Sequence, residues 1–167
     1  MILVGIGSNL AADGYASPRD TAAAAVANLP ALGMDILAQS AWYGSAPVPR
    51  SDQPWYANAV VALATRLPAP ALLGELLALE ARFGRRRSVA NAARTLDLDL
   101  LDYDGAVIDA PRLTLPHPRL HERRFVLAPL CDIAPDWRHP LLGTTAASLL
   151  AALPPDQVVE LLDLGRG

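Results

Sequence analysis

The chain holds 167 residues with 52% hydrophobic content, enough for one well-packed core and too short for two comfortable domains. Fourteen basic against seventeen acidic residues leave a formal charge of −3 and a pI near 5.5, which excludes a general attraction to nucleic acid or to a membrane surface. The lone Cys131 excludes an intrachain disulfide and a cysteine-based metal site, and its apolar setting predicts a core thiol.

The apolar opening, Met1 to Gly7, lacks a basic n-region and is too short for a span or a signal, so a cytoplasmic location is the default. It reads instead as a first strand over residues 2 to 7, ending in Gly7-Ser8-Asn9. A helix follows, with Ser17 as N-cap, Pro18 in its first turn and an Ala-rich body to Leu29. Residues 35 to 43 read as a second strand. A Pro-rich loop runs from Ala46 to Pro54, and Tyr56 to Thr65 alternates as a third strand. Pro70 to Phe83 is an amphipathic helix with Leu72, Leu73, Leu76, Leu77 and Leu79 facing inward, terminated at Gly84.

An arginine-rich loop leads to Thr95-Leu96-Asp97-Leu98-Asp99-Leu100-Leu101, which reads as a strand although it carries two of the residue type that strands least favour. Period-two alternation sends Leu96, Leu98 and Leu100 to one face and both carboxylates to the other, roughly 7 Å apart at Cα. Such a pair suits one or two Mg²⁺ ions, because hard cations take carboxylate oxygens and leave positions open for phosphate and water. Taken alone, the pair is equally an edge strand with a solvated face. Its neighbours favour function: nine of the fourteen basic residues lie between Arg82 and Arg124. Metal-anchoring acids flanked by guanidinium groups suit phosphoryl transfer, whose catalysis is mostly positioning and neutralisation of phosphate charge.

Further along, Asp104-Gly105 marks a tight turn and Val107-Ile108 a short returning strand. A helix is expected through Phe125 to Asp132, and another capped by Thr144 or Thr145 and running to Leu153. Val158 to Leu164 reads as a closing strand or docked tail. Strands and helices interleave as βαββαβ, which predicts an α+β fold of ferredoxin-like type, an antiparallel sheet with helices packed on it, in a single domain spanning 1–167. A doubly wound Rossmann fold is the alternative. Gly5 to Gly7 lacks the third glycine of a dinucleotide fingerprint, and no Gly-Lys-Ser/Thr of a P-loop is present.

Four segments, Gly7-Ser8-Asn9-Leu10, Asp52-Gln53-Pro54-Trp55-Tyr56-Ala57-Asn58, Arg94-Thr95-Leu96-Asp97-Leu98-Asp99 and Leu115-Pro116-His117, resemble the 6-hydroxymethyl-7,8-dihydropterin pyrophosphokinase family of folate biosynthesis, in that family's order and near its spacing. The resemblance runs from residue 1 to about residue 140. It implies transfer of the β,γ-diphosphate of ATP to the pterin hydroxymethyl group with release of AMP, and two Mg²⁺ ions between Asp97, Asp99 and the triphosphate. It implies Arg85, Arg94, Asp97 and Asp99 as the catalytic set. Glu80, Arg85, Arg87, Arg94, Thr114, His117 and Arg123 would serve ATP, and Ser45, Tyr56, Asn58 and Phe125 the pterin. Two aromatic faces and an in-plane amide suit a flat heterocycle. On pattern alone a helix core anchor is the lesser alternative for Phe125, whereas His117 reads first as a structural histidine beside prolines. The implied partners are small molecules; the charge balance predicts no nucleic-acid or membrane partner, and a monomer is the default.

The departures cluster. Asn91-Ala92-Ala93 stands where the family has a tryptophan and Gly-Pro, Pro118 where it has an aromatic, and Leu77 where it has a polar helix residue. The Gly84 to Ala93 loop is expected to close over the bound substrates, bringing Arg85 and Arg87 to the triphosphate. Two other readings compete. A haloacid-dehalogenase-type phosphatase also uses D-x-D, but nearer the chain start and with a lysine that this chain lacks. A ferredoxin-like module that binds nucleotide or pterin without turnover is the non-enzymatic alternative.

Overall fold

In a computed structural model describing residues 1–47, 49–85 and 93–162, the chain runs β1 (Ile2–Ser8), α1 (Pro18–Asn28), β2 (Met34–Gln39), β3 (Tyr43–Ser45), β4 (Tyr56–Thr65), α2 (Ala69–Arg82) and β5 (Asp97–Tyr103). It continues through β6 (Ile108–Ala110), β7 (Leu113–Leu115), α3 (Arg124–Ile133), α4 (Ala146–Ala152) and β8 (Val159–Leu161). The main sheet is antiparallel in the order β5-β1-β4-β3-β8. β4 is long enough to take two partners on one edge: β3 along Tyr56–Asn58 and β2 along Val61–Thr65.

Alternation along β1 divides the core. Ile2, Val4 and Ile6 pack against α1 and α2, with Leu72, Leu76 and Leu79 fully buried. Leu3 points to the opposite face, where it joins Val60, Leu101, Leu127, Leu130 and Trp137 under α3 and α4. The sheet is thus sandwiched between two helical layers, each burying an apolar stripe. Removing a side chain such as Leu76 from so closed a site costs ~2–5 kcal/mol. The helix signals are physical caps: Ser17 Oγ accepts from Asp20 N at 3.1 Å, Thr145 Oγ1 accepts from Ser148 N at 3.2 Å, and Gly84 takes φ +81° after α2.

The structure departs from these expectations in the sheet, in the turn after β5 and on α2. The 35–43 strand divides into β2 and β3: Ser40 N still donates to Val60 O at 2.9 Å, but Val60 N donates to Ser40 Oγ rather than to a backbone carbonyl, and Ala41 N donates to Asp132 rather than to β4. The Asp104-Gly105 turn, both residues at positive φ, does not return a strand to β5; Ile108–Ala110 pairs instead with Leu113–Leu115 as a separate hairpin. Leu77 is 36% exposed rather than inward, since one helix stripe is already filled by Leu72, Leu76 and Leu79. Cys131 is half-buried at the edge of the α3 layer. The predicted 158–164 segment forms β8, and its last two residues lie outside the described ones. Among the described residues, no helix is long and apolar enough to cross a membrane.

Candidate functional site

Strand register builds the site. Gly7 of β1 lies between Asn58 of β4 and Asp97 of β5, and Gly5 lies between Val60 and Asp99. Tyr43 extends the first row beyond Asn58, and Ser45 sits opposite Tyr56. Tyr56, Asn58, Gly5, Gly7, Asp97 and Asp99 therefore share the α3 face, since side chains on one face recur every second residue. The two glycines leave the centre of that face open. A Cβ on Gly7 would stand 3.4 Å from Asn58 Oδ1 and 3.6 Å from Tyr56 Cδ1. A cavity of about 590 Å³ opens over this floor, within the size range of small-molecule sites.

One end of the cavity is charged. Asp97 accepts from Arg85 at 3.1 Å on Oδ1 and from Arg94 at 3.2 Å on Oδ2. Burial, with Asp97 beside it, pushes Asp99 well above the ordinary carboxylate range, to about 7, against the pull of Arg123. Arg94, Arg119 and Arg123 converge on the same end. A carboxylate that burial makes costly to ionise, facing several guanidinium groups, is a place where a cation and a polyanion would each relieve the other's cost.

The other end suits a planar polar ring. Asn58 is buried, its Nδ2 donating to Ser45 Oγ at 2.7 Å and to Tyr43 O at 3.3 Å. Tyr56 and Phe125 contribute rings to the wall, and the Arg123 guanidinium carbon lies 5.4 Å from the Phe125 ring centroid. Arg123 and Phe125 thus link the charged and aromatic ends from the first turn of α3.

Behind these walls lie side chains that hold them. Asn9, 1% exposed, donates from Nδ2 to Gln53 Oε1 and Pro54 O, each at 3.2 Å, and accepts from Arg94 N at 2.7 Å. The Gly7-Ser8-Asn9 segment therefore fixes both the Arg94 backbone and the loop preceding Tyr56. Glu80 is buried on α2, accepts from Leu98 N at 2.7 Å and pairs with Arg85. Burial raises its pKa, and it does not line the cavity but anchors the guanidinium that reaches Asp97.

Of the residues expected at the site, Arg94, Asp97, Asp99, Ser45, Tyr56, Asn58, Phe125 and Arg123 line the one cavity. Arg85 lies behind Asp97, and Thr114 is exposed on β7 outside the lining. His117 also lies outside the lining, its Nδ1 accepting from Arg119 N at 3.2 Å. Burial, then Arg123, lowers its pKa to about 4. The ring is accordingly neutral near pH 7 and carries its proton on Nε2. Arg87, and with it most of the Gly84–Ala93 loop, falls outside the described residues. The sequence reading did not assign Arg119, Gln53, Glu122, Asp156 and Gln157, which also line the cavity. Arg119 belongs to the arginine cluster and Gln53 to the Asp52–Asn58 motif, so both carried a signal. Asp156 and Gln157 carried none.

The family described as 7,8-dihydro-6-hydroxymethylpterin-pyrophosphokinase (HPPK) matches residues 3–135. Among similar proteins, a 2-amino-4-hydroxy-6-hydroxymethyldihydropteridine pyrophosphokinase of Pseudomonas aeruginosa is 42% identical over 154 residues, covering 92% of this chain and 91% of its own. Proteins of the same name from Synechocystis and Methylorubrum extorquens are 40% and 39% identical, over 89% and 93% of this chain. The wild-type HPPK-DHPS crystal structure from Plasmodium falciparum aligns with 90% of this chain at TM-score 0.66 and 12% identity. That likeness is one of fold, and this chain spans 44% of the length of that one.

Proposed function

The chain belongs to the 7,8-dihydro-6-hydroxymethylpterin-pyrophosphokinase family, and from that membership we propose that it transfers the diphosphate of ATP to the hydroxymethyl group of 6-hydroxymethyl-7,8-dihydropterin in folate biosynthesis. The observation that carries this reading is the division of one cavity into an acidic-arginine end and an amide-aromatic end. The pterin hydroxyl oxygen attacks the β-phosphorus, the bond to the α-phosphate oxygen breaks, and AMP leaves. The hydroxyl proton is lost to solvent or to a phosphate oxygen.

Tyr56 and Phe125 hold the pterin between ring faces, with Asn58 and Ser45 reading its polar edge. Arg94, Arg119 and Arg123 draw in the triphosphate and spread its charge. His117 contributes a neutral Nε2–H donor to a phosphate oxygen. Arg85, held by Glu80 and Asp97, adds charge beside Asp97, and family membership suggests Arg87 and Thr114 as further ATP contacts. The donor chemistry of Asp97 and Asp99 fits Mg²⁺, which is bound by one or two carboxylates with substrate phosphates completing its shell. Two such ions would supply charge neutralisation at the transferring group.

The strand order β5-β1-β4-β2 supports a ferredoxin-like core of βαββαβ type. We read residues 1–167 as one domain, a cytoplasmic monomer acting on small molecules. Protein, Mg²⁺, ATP and the dihydropterin, assayed for AMP against ADP and free phosphate, test the function. AMP formed only with pterin is expected. Free phosphate without pterin would indicate a phosphatase, and tight binding without AMP a non-catalytic module.

A further inference from the structure

The family match ends at residue 135, yet the cavity is closed on one side by residues far beyond it. Gln157 projects from the stretch between α4 and β8 and makes two hydrogen bonds of 2.8 Å: its Oε1 accepts from Arg124 N, and its Nε2 donates to Glu122 O. These are the backbone groups on either side of Arg123. Arg123 is also the N-cap residue of α3 and supplies no side-chain cap to it, so the first N–H of the helix takes its acceptor from Gln157. A helix N-terminus without a local cap leaves its first donors to find partners elsewhere.

The same stretch grips the opposite wall. Val159 of β8 pairs with Ser45 of β3, and Ala46 N donates to Val158 O at 3.3 Å. Residues 157–159 therefore tie the wall carrying Ser45 to the turn carrying Arg123 and Phe125. We infer that Gln157 is a positioning residue for pterin binding, acting through the Glu122 carbonyl and Arg124 amide to set where Phe125 and Arg123 stand. The inference rests on the proposed assignment of Phe125 to the pterin. The side-chain amide is required because it alone offers an acceptor and a donor in one plane to two backbone groups of opposite kind.

The test compares Gln157→Ala and Gln157→Glu with an exposed β8 control, Glu160→Ala, by amide hydrogen exchange of residues 122–127 without ligand, and by steady-state kinetics. Gln157→Ala is expected to remove protection at the Arg124 amide and to raise KM for the pterin about five- to tenfold, with KM for ATP changed less than about twofold. Gln157→Glu keeps the acceptor and loses the donor, so it should restore protection at Arg124 and recover the pterin KM only in part. The control should match wild type. Unchanged exchange at Arg124 in Gln157→Ala would overturn the clasp. Lost protection with an unaltered pterin KM, in a wild type that forms AMP, would reduce Gln157 to a structural tie. A wild type that forms no AMP would overturn the functional reading, while the exchange result still decides whether the clasp exists.

Discussion

At the scale of single residues, Asp97 and Asp99 occupy equivalent positions on one strand yet meet different surroundings. Asp97 is held on both oxygens by Arg85 and Arg94. Asp99 has its charge disfavoured by burial. Substituting either with Asn removes a charge from a polar face without opening the core. Asp97→Asn and Asp99→Asn should each lower kcat by a factor of about 10³ or more, while denaturant unfolding stays cooperative. Near-normal kcat for either at saturating Mg²⁺ would remove it from the metal-binding pair. On the ring side, Tyr56→Ala and Phe125→Ala should each weaken pterin binding by about 1 kcal/mol beyond the lost contact area and leave ATP binding nearly unchanged. Calorimetric titration with each ligand separates the two, and equal losses would mean that the rings only support the core.

Glu80 shows how one side chain joins elements. From α2 it accepts the amide of Leu98 in β5 and holds Arg85, so helix, strand and loop share one buried carboxylate. Glu80→Ala should destabilise the fold by about 1–3 kcal/mol, the cost of an unpartnered Leu98 amide, and should also lower kcat through Arg85. A variant as stable as wild type by urea unfolding would show that water replaces the carboxylate. Which elements the sequence disclosed follows from how local their causes are. β4 spans the expected Tyr56–Thr65 because its apolar run is written in consecutive residues, although Ala57 to Leu63 are buried on both faces and do not alternate, and Ser17-Pro18 announced α1 by side-chain capping alone. The carboxylate pair was visible for the same reason. The break between β2 and β3 was not, because it depends on Val60 and Asp132, residues distant in sequence. Glu80 on an amphipathic helix gave no sign of being buried, since its partners lie on another strand and a loop. Nothing around Gln157 marked it as part of the cavity, because its hydrogen bonds run to residues more than thirty positions earlier.

At the scale of the whole molecule, the two helical layers serve different ends. α1 and α2 cover a mainly apolar face that Glu80 interrupts, whereas the α3 face combines the cavity with a buried polar cluster at the opposite end of the sheet. There Trp137 Nε1 donates to Asp102 at 2.8 Å, and His139 packs edge-on to Trp137 at 5.9 Å between centroids. His139 Nδ1 accepts from the amides of Leu141 and Leu142. Protonation would abolish that acceptor, and burial lowers the His139 pKa. A base whose folded pKa is lowered contributes stability that is present above its unfolded value of 6.5 and is lost as pH falls below it, because the unfolded chain then binds the extra proton. His117, lowered to about 4, acts in the same direction, whereas Asp99, raised to about 7, opposes it. The contribution of His139 is therefore read as a difference. His139→Asn supplies an amide oxygen to the two amides and cannot titrate, so its stability relative to wild type should improve steadily from pH 7 to pH 5. The slope should stay below about 1.4 kcal/mol per pH unit, the limit for one proton. Urea unfolding across that range measures it, and parallel curves for the two proteins would mean that His139 titrates alike in the folded and unfolded chain.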